Sequence, residues 1–191
     1  FSDARILLFP VATMIGPVWV TCQMVLKDAG INDVQLPDNV EQFITNLDTP
    51  ENLNFGWLLL ERDKGKTIDS QNWNLNRIPE EITNRIVVVS DNLFPQIVNS
   101  NLEVRMSVAI DPERGAAEEG ALFTYEAIPR GTVFWFDAVY QNPSYFPALS
   151  NLNISLGNIE NTVKDGLSLF KFLGVGGMGS RGFGRLEILN L

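Results

Sequence analysis

The residues best equipped to do chemistry lie near the end of the chain, in GVGGMGSRGFGRLEI from Gly174 to Ile188. Gly174, Gly176, Gly177, Gly179, Gly182 and Gly184 leave backbone N–H groups uncovered and let a bulky ligand approach the main chain closely. Consecutive amides in such a loop form an anion-binding concavity, and arginines clamp phosphate on two sides. Arg181 and Arg185 flank Phe183 and are placed for that role. The stretch follows an apolar helical segment and precedes a strand-like one, whereas nucleotide phosphate loops run strand, loop, helix. Gly176, Gly177, Gly179, Ser180, Arg181, Gly182, Phe183 and Arg185 therefore read as a cradle for a polymer backbone rather than for ATP. A bare turn back into a strand is the alternative reading of the same glycines.

A second group is acidic. Glu118, Glu119, Tyr125 and Glu126 lie on or before a strand of alternating pattern, in which Phe123 and Tyr125 share one face and Thr124 and Glu126 the other. A carboxylate here suits Mg²⁺, directly or through water, and a solvated acidic loop beside one core tyrosine is equally compatible. Trp19, Trp57, Trp73 and Trp135 are candidates for base stacking. Trp135 alternates with apolar neighbours and reads as core, and Trp73, in SQNWNLN, as exposed or at an interface. Arg130 reads as a solvated turn residue and Cys22 as inert core.

Composition narrows the chemistry further. The 191 residues contain no histidine and one cysteine. His-based dyads, His-based zinc sites and internal disulfides are excluded, so acid–base work falls to Asp, Glu, Tyr or Lys. A single cysteine suits a reducing, cytoplasmic setting. The formal charge of −9 opposes general nucleic-acid binding. Arginines beside glycines or prolines nevertheless suggest a subunit that binds RNA along one groove. No apolar run is long enough to span a bilayer, so no membrane partner is expected.

These residues need elements to position them. Ala4–Val11 reads as a buried strand and Val18–Ala29 as a helix closed by Gly30, with Trp19, Cys22 and Leu26 near helical spacing. Val40–Leu47 reads as a short helix, Phe55–Glu61 as a strand, Pro79–Asn84 as a helical turn and Arg85–Val89 as a strand. Ser90 offers an N-cap to a short helix interrupted by Pro95. Leu102–Ile110 alternates strictly, as a half-buried strand does. Ala121–Ile128 and Thr132–Tyr140 read as a hairpin across Pro129-Arg130-Gly131. Glu160–Leu173 reads as an amphipathic helix with Val163, Leu167, Phe170 and Leu173 as its stripe, and Arg185–Leu189 as a closing strand. Hairpin, helix and returning strand make the second half of a ferredoxin-like unit.

IDPERGAAEEGALFTYEAIPRGTVF (Ile110–Phe134) and LGVGGMGSRGFGRLEIL (Leu173–Leu189) closely resemble the backbone subunit of type III-B CRISPR effector complexes, the Cmr complex, within the RAMP superfamily. FSDARILLFPV with VWVTC resembles the segment after that family's thumb. The resemblance implies an α+β, ferredoxin-like (RRM-like) RAMP fold with insertions, here lacking its first strand. It implies one partial RAMP domain over residues 1–191 with an insertion at roughly 31–100. It also implies partners: CRISPR RNA on the glycine loop, target RNA, other copies of the chain and other Cmr subunits. Target RNA is cut at six-nucleotide intervals with Mg²⁺ or Mn²⁺ in that family. Tyr125 and Glu126 are then accessory catalytic candidates, and the family's aspartate is expected upstream of Phe1. Ala12 stands where the family usually has arginine. A non-catalytic structural RAMP subunit is the competing reading, and a small-molecule enzyme of ferredoxin-like fold has no cofactor fingerprint to support it.

Overall fold

The computed structural model describes residues 1–75, 77–117 and 120–190. They form two compact units, one of residues 4–135 and one of residues 1–3 with 136–190.

The larger unit is built on a seven-stranded mixed sheet whose strands lie in the spatial order Val133–Trp135, Arg5–Thr13, Gly16–Cys22, Ile86–Val89, Gln42–Thr45, Leu58–Arg62 and Asn52–Phe55. β1 (Arg5–Thr13) and β2 (Gly16–Cys22) form an antiparallel hairpin whose register pairs Thr13 with Gly16. Gly16 takes a left-handed φ of 90° there, and Arg85 donates to the Ile15 and Pro17 carbonyls at 2.7 and 2.6 Å, pinning the turn. β6 (Ile86–Val89) runs parallel to β2, and β3 (Gln42–Thr45) antiparallel to β6. β4 (Asn52–Phe55) and β5 (Leu58–Arg62) form a second hairpin, with β5 parallel to β3. All four residues of β6 are buried, as expected of a strand covered on both faces. Val87 and Val89 join Phe9, Val18, Val20, Phe43 and Phe55 on one side; Ile86 and Val88 join Leu8, Leu26 and Ile44 on the other. The sheet curls: Gly56 N–H donates to Ala12 O at 3.3 Å, bringing the tip of the β4–β5 hairpin to β1. Short helices α1 (Gln23–Asp28), α2 (Glu80–Thr83) and α3 (Phe94–Ser100) cover it.

A separate ribbon pairs β7 (Glu103–Ser107) antiparallel with β10 (Phe123–Ala127). Between them β8 (Ile110–Asp111) and β9 (Ala116–Ala117) pair across a turn held by Asp111, whose carboxylate accepts from the Glu113 and Arg114 amides. β11 (Val133–Trp135) returns to the main sheet beside β1.

In the smaller unit, 3₁₀ turns at Pro143–Tyr145 and Pro147–Leu152 lead to α4 (Leu156–Ser168). Ser155 and Asn158 cap α4 reciprocally. α5 (Phe170–Leu173) follows at once and leads into the glycine loop.

Several expectations are corrected. Val18–Cys22 is a strand, and only Gln23–Asp28 is helical: the β-branched run joins a ladder on both sides, which outweighs the helical spacing of Trp19, Cys22 and Leu26. The helix expected at Val40–Leu47 is β3, for the same reason. Phe55–Glu61 is not one strand, because Gly56, at φ 64°, turns the chain. Pro95 opens α3 rather than interrupting it, and Ser90 caps nothing with its side chain. The Pro129–Gly131 turn exists, but its flanking strands go to different sheets and form no hairpin. β11 also stops at Trp135, well short of Tyr140. Helix α4 begins at Leu156, four residues ahead of Glu160, because of its Ser155 cap. Residues 185–189 form no strand, so the expected hairpin–helix–strand half of a ferredoxin-like unit is not assembled among the described residues. Trp73 is buried, packed with Ile68, Leu75 and Ile86.

Candidate nucleic-acid interface

The glycine loop is closed at its neck. The Val175 amide donates to Gly184 O at 2.8 Å, two residues after α5 ends. Gly174 and Gly184 take φ of 68° and 74°, and a Cβ on Gly174 would come within 2.9 Å of Gly184 O, while one on Gly184 would run into the Val175 carbonyl. Glycine at both positions is thus a demand of the fold. Inside the neck, a 3₁₀ turn at Gly179–Arg181 is held by Arg181 N–H to Met178 O (2.9 Å) and Gly182 N–H to Gly179 O (3.0 Å), and Gly182 ends it at φ 86°. Among the described residues, the amides of Gly176, Gly177, Gly179 and Ser180 donate no backbone hydrogen bond.

Gly177 and Gly179 are different from the neck glycines. Neither has a left-handed φ, and a Cβ on either would meet open space. Among the described residues, nothing packs where a side chain at either position would stand. Arg181 and Arg185 are exposed beside them, while Phe183 is half-buried. Lys171 is paired with Glu187 at 2.8 Å and Lys164 with Glu160 at 3.0 Å. Residues 136–191 hold four acidic and four basic side chains, so the entire formal charge of −9 falls in residues 1–135. The loop thus belongs to the electrically neutral part of an acidic chain. The electrostatic objection to polyanion binding applies to the larger unit and much less here. A charge count by segment carries this signal, and the whole-chain charge conceals it.

Tyr125 and Glu126 sit in the other unit, on β10. Tyr125 lies opposite Arg105, with its ring 6.0 Å from that of Phe123. Glu126 lies opposite Val104 and projects to the other face, together with Thr124 and Met106. The two neighbours therefore do not converge on one group of atoms. Among the described residues, the companions of Glu126 on that face are Val104, Met106 and the Thr124 hydroxyl, a set that does not fit a divalent cation. Among the described residues no three Asp, Glu, His or Cys side chains cluster as metal ligands. Glu118 and Glu119 lie outside the described residues.

The remaining candidates are placed as follows. Trp57 is 75% exposed at the tip of the β4–β5 hairpin. Trp19 donates its indole N–H to Gly131 O at 2.8 Å, and Trp135 is half-buried with Arg5 stacked 5.2 Å from its ring. Arg130 is exposed. Cys22 is fully buried at the end of β2, and burial pushes its thiol up to about 11. No helix among the described residues is long and apolar enough to cross a membrane.

The RAMP superfamily model matches residues 1–187. The CRISPR system Cmr endoribonuclease Cmr4 of Pyrococcus furiosus is 30% identical over 155 residues, which are 70% of this chain and 52% of that protein. The chain thus spans about half the length of this curated relative. The crystal structure of oligomeric Cmr4 from Pyrococcus furiosus matches 96% of this chain and 69% of its own, with a TM-score of 0.56 at 18% identity. The apo state of a type III-B Cmr-beta complex, seen by cryo-electron microscopy, matches 69% of this chain and 53% of its own, with a TM-score of 0.51 at 16% identity. These likenesses are of fold, and they agree with the mixed α+β architecture.

Proposed function

Starting from the membership of this chain in the RAMP superfamily, we propose that it is the guide-RNA-binding backbone subunit of a type III-B CRISPR effector complex, acting in the cytoplasm. The observation that carries this reading is the pair Gly177 and Gly179. Their missing side chains serve no internal contact, so they leave room for something from outside. A phosphate at hydrogen-bond distance from the Gly176–Ser180 amides is the ligand that such space and such donors suit. Arg181 and Arg185 supply the counter-charge, and their planar forks bind phosphate oxygens in pairs. The loop uses backbone and phosphate, so it would hold any guide sequence equally well.

The neighbours' names extend the reading to partners, further copies of the chain and other Cmr subunits, and we propose target RNA paired to the guide as one more. We also propose that cleavage of target RNA with Mg²⁺ or Mn²⁺ belongs to the assembled complex. Glu126, among apolar neighbours, is a poor ligand site, and no step is assigned through it.

The test is the salt dependence of binding to single-stranded RNA. Removing one phosphate-binding cation flattens the log–log slope by about 0.7 for single strands. Arg181→Ala/Arg185→Ala should therefore weaken binding at every sequence and reduce the slope by about 1.4. Unchanged affinity and slope in filter binding refute the assignment of the loop.

A further inference from the structure

We infer that Trp57, at the tip of the β4–β5 hairpin, stacks on an unpaired base of RNA, a reading that rests on the RNA-binding function proposed above. The glycine loop would take phosphates, whereas this contact takes a base and lies in the larger unit.

The other three tryptophans are committed to the fold. Trp73 is buried, Trp19 donates its indole N–H to Gly131 O, and Trp135 carries the Arg5 guanidinium on its ring. Trp57 is three-quarters exposed, and among the described residues its ring meets no other ring. A bare indole forgoes the burial that its large area would otherwise bring. The fold nevertheless holds the tip firmly. Asn54 accepts from the Met14 amide at 2.7 Å and donates to Gly56 O at 3.3 Å, and the Gly56 amide donates to Ala12 O at 3.3 Å. Asn101, anchored by its own bond to Ile97 O at 2.8 Å, stands so close that a Cβ on Gly56 would come within 2.6 Å of its Oδ1. The residue before Trp57 is thus fixed from several sides, and the indole is presented on a rigid support. An aromatic ring with few free torsions loses little entropy when it meets a flat partner.

Charge selects that partner. Residues 12–19, 52–59, 84–90 and 97–101 meet around the tip and together carry one charged side chain, Arg85. Its Nη2 and Nε donate to Ile15 O and Pro17 O, and among the described residues it makes no ion pair. The hairpin's acid lies at its other end: Glu61 stands opposite Asn52, about 13 Å along the strand from Trp57. The tip is therefore locally positive in a unit that carries the chain's formal charge of −9. A polyanion meets no repulsion there, and a basic protein surface finds no counter-charge. Exposed Met14 and Leu59 flank the ring, and Leu59 lies opposite Asn54 in the register. Their side chains offer no group to read a base edge, so the stacking should tolerate any sequence.

Tryptophan fluorescence tests the contact, with oligouridylate and oligoadenylate as probes of the full chain. Stacking should quench the parent's emission. Trp57→Phe keeps a ring, so it should bind in filter assays with little loss, yet the quenching should vanish because the remaining tryptophans are buried or half-buried. Trp57→Ala should bind both probes about 5- to 150-fold more weakly, with an unchanged salt slope, since stacking releases no counterions. An RNA duplex has its bases already stacked and should leave the emission unaltered. Trp57 is exposed, so neither substitution should move the unfolding midpoint. Unchanged affinity in Trp57→Ala, quenching retained in Trp57→Phe, or equal quenching by the duplex overturns the inference. Arg181→Ala/Arg185→Ala is titrated in parallel. A flattened slope there with unchanged affinity in Trp57→Ala refutes the base contact and leaves the glycine loop standing. Weaker binding in Trp57→Ala with an unaltered slope in the double arginine variant keeps the base contact and removes the loop. A parent chain that binds neither probe refutes both.

Discussion

Replacing the two internal glycines, Gly177→Ala/Gly179→Ala, separates what the loop needs for folding from what it needs for binding. Neither residue has a left-handed φ and neither Cβ would meet an atom of the chain. Alanine at such sites removes conformational freedom from the unfolded chain and stabilises by about 0.4–1 kcal/mol each. The double variant should thus unfold at an equal or slightly higher temperature. The methyl groups, however, occupy the space through which phosphate reaches the amides. Loss of one hydrogen bond to a charged oxygen costs about 1.5–3 kcal/mol, or roughly 10- to 150-fold in affinity. Gly184→Ala is the opposite control. It places a left-handed φ of 74° on alanine, and its Cβ overlaps the Val175 carbonyl that belongs to the neck. The left-handed backbone alone costs about 1–2 kcal/mol. Thermal unfolding by circular dichroism and filter binding of single-stranded RNA measure the two effects. A double alanine variant that binds RNA as tightly as the parent shows that no ligand approaches Gly177 and Gly179, and the phosphate-binding role of the loop falls with it.

Other outcomes follow from the same structure. Phe43→Ala, which removes a ring packed edge-on to Phe55 at 5.3 Å in the core, should destabilise by about 3–5 kcal/mol in denaturant unfolding. Ser155→Ala removes the α4 cap and should cost about 0.5–2 kcal/mol in the same measurement. Cys22 gives a pH signature: its thiol is raised from 9.0 to about 11 in the folded chain. Below pH 9 both states keep the proton, and above it the unfolded chain releases it first. Stability should fall between pH 9 and 11 by up to about 2.7 kcal/mol. The difference between the parent and Cys22→Ala isolates this fall, and identical pH profiles would contradict it.

The loop is legible in the sequence because glycine spacing and flanking arginines carry local information, and its neck confirms two of the six glycines as fold requirements. The strand at Val18–Cys22 is not, because Trp19, Cys22 and Leu26 also fit a helical face. What decides the segment is pairing with β1 and with β6, some 67 residues away by the Trp19–Ile86 register, which no local window contains. The same blindness suggests a hairpin across Pro129–Gly131: the turn chemistry is right, yet β10 and β11 find other partners in β7 and β1. In β7 the alternation is genuine and its meaning is not local, because a pattern shows that one face is apolar and says nothing of what covers it. The polar neighbours of Trp73 in sequence misrepresent its surroundings. Its burial comes from Ile68, Leu75 and Ile86, which the fold brings around it.

The pairing of β1 with β11 has an architectural consequence. Arg5 stands opposite Trp135, so the chain enters and leaves the larger unit through adjacent strands, about 5 Å apart. Ser2 and Asp137, just outside, are hydrogen-bonded to each other by Ser2 N–H to Asp137 O at 2.9 Å. Residues 4–135 are therefore topologically a cassette: a short turn from Asp3 to Phe136 would bypass them without stretching the chain. Conversely, joining Ala4 to Trp135 would close the cassette on itself, and new termini could be opened at the exposed Gly56–Trp57 tip. The sheet cannot be completed until its last strand has been made, since its first strand waits for a partner that lies at the far end of the unit. During synthesis β1 must remain an open edge for the whole of that interval, with only β2 to shield it.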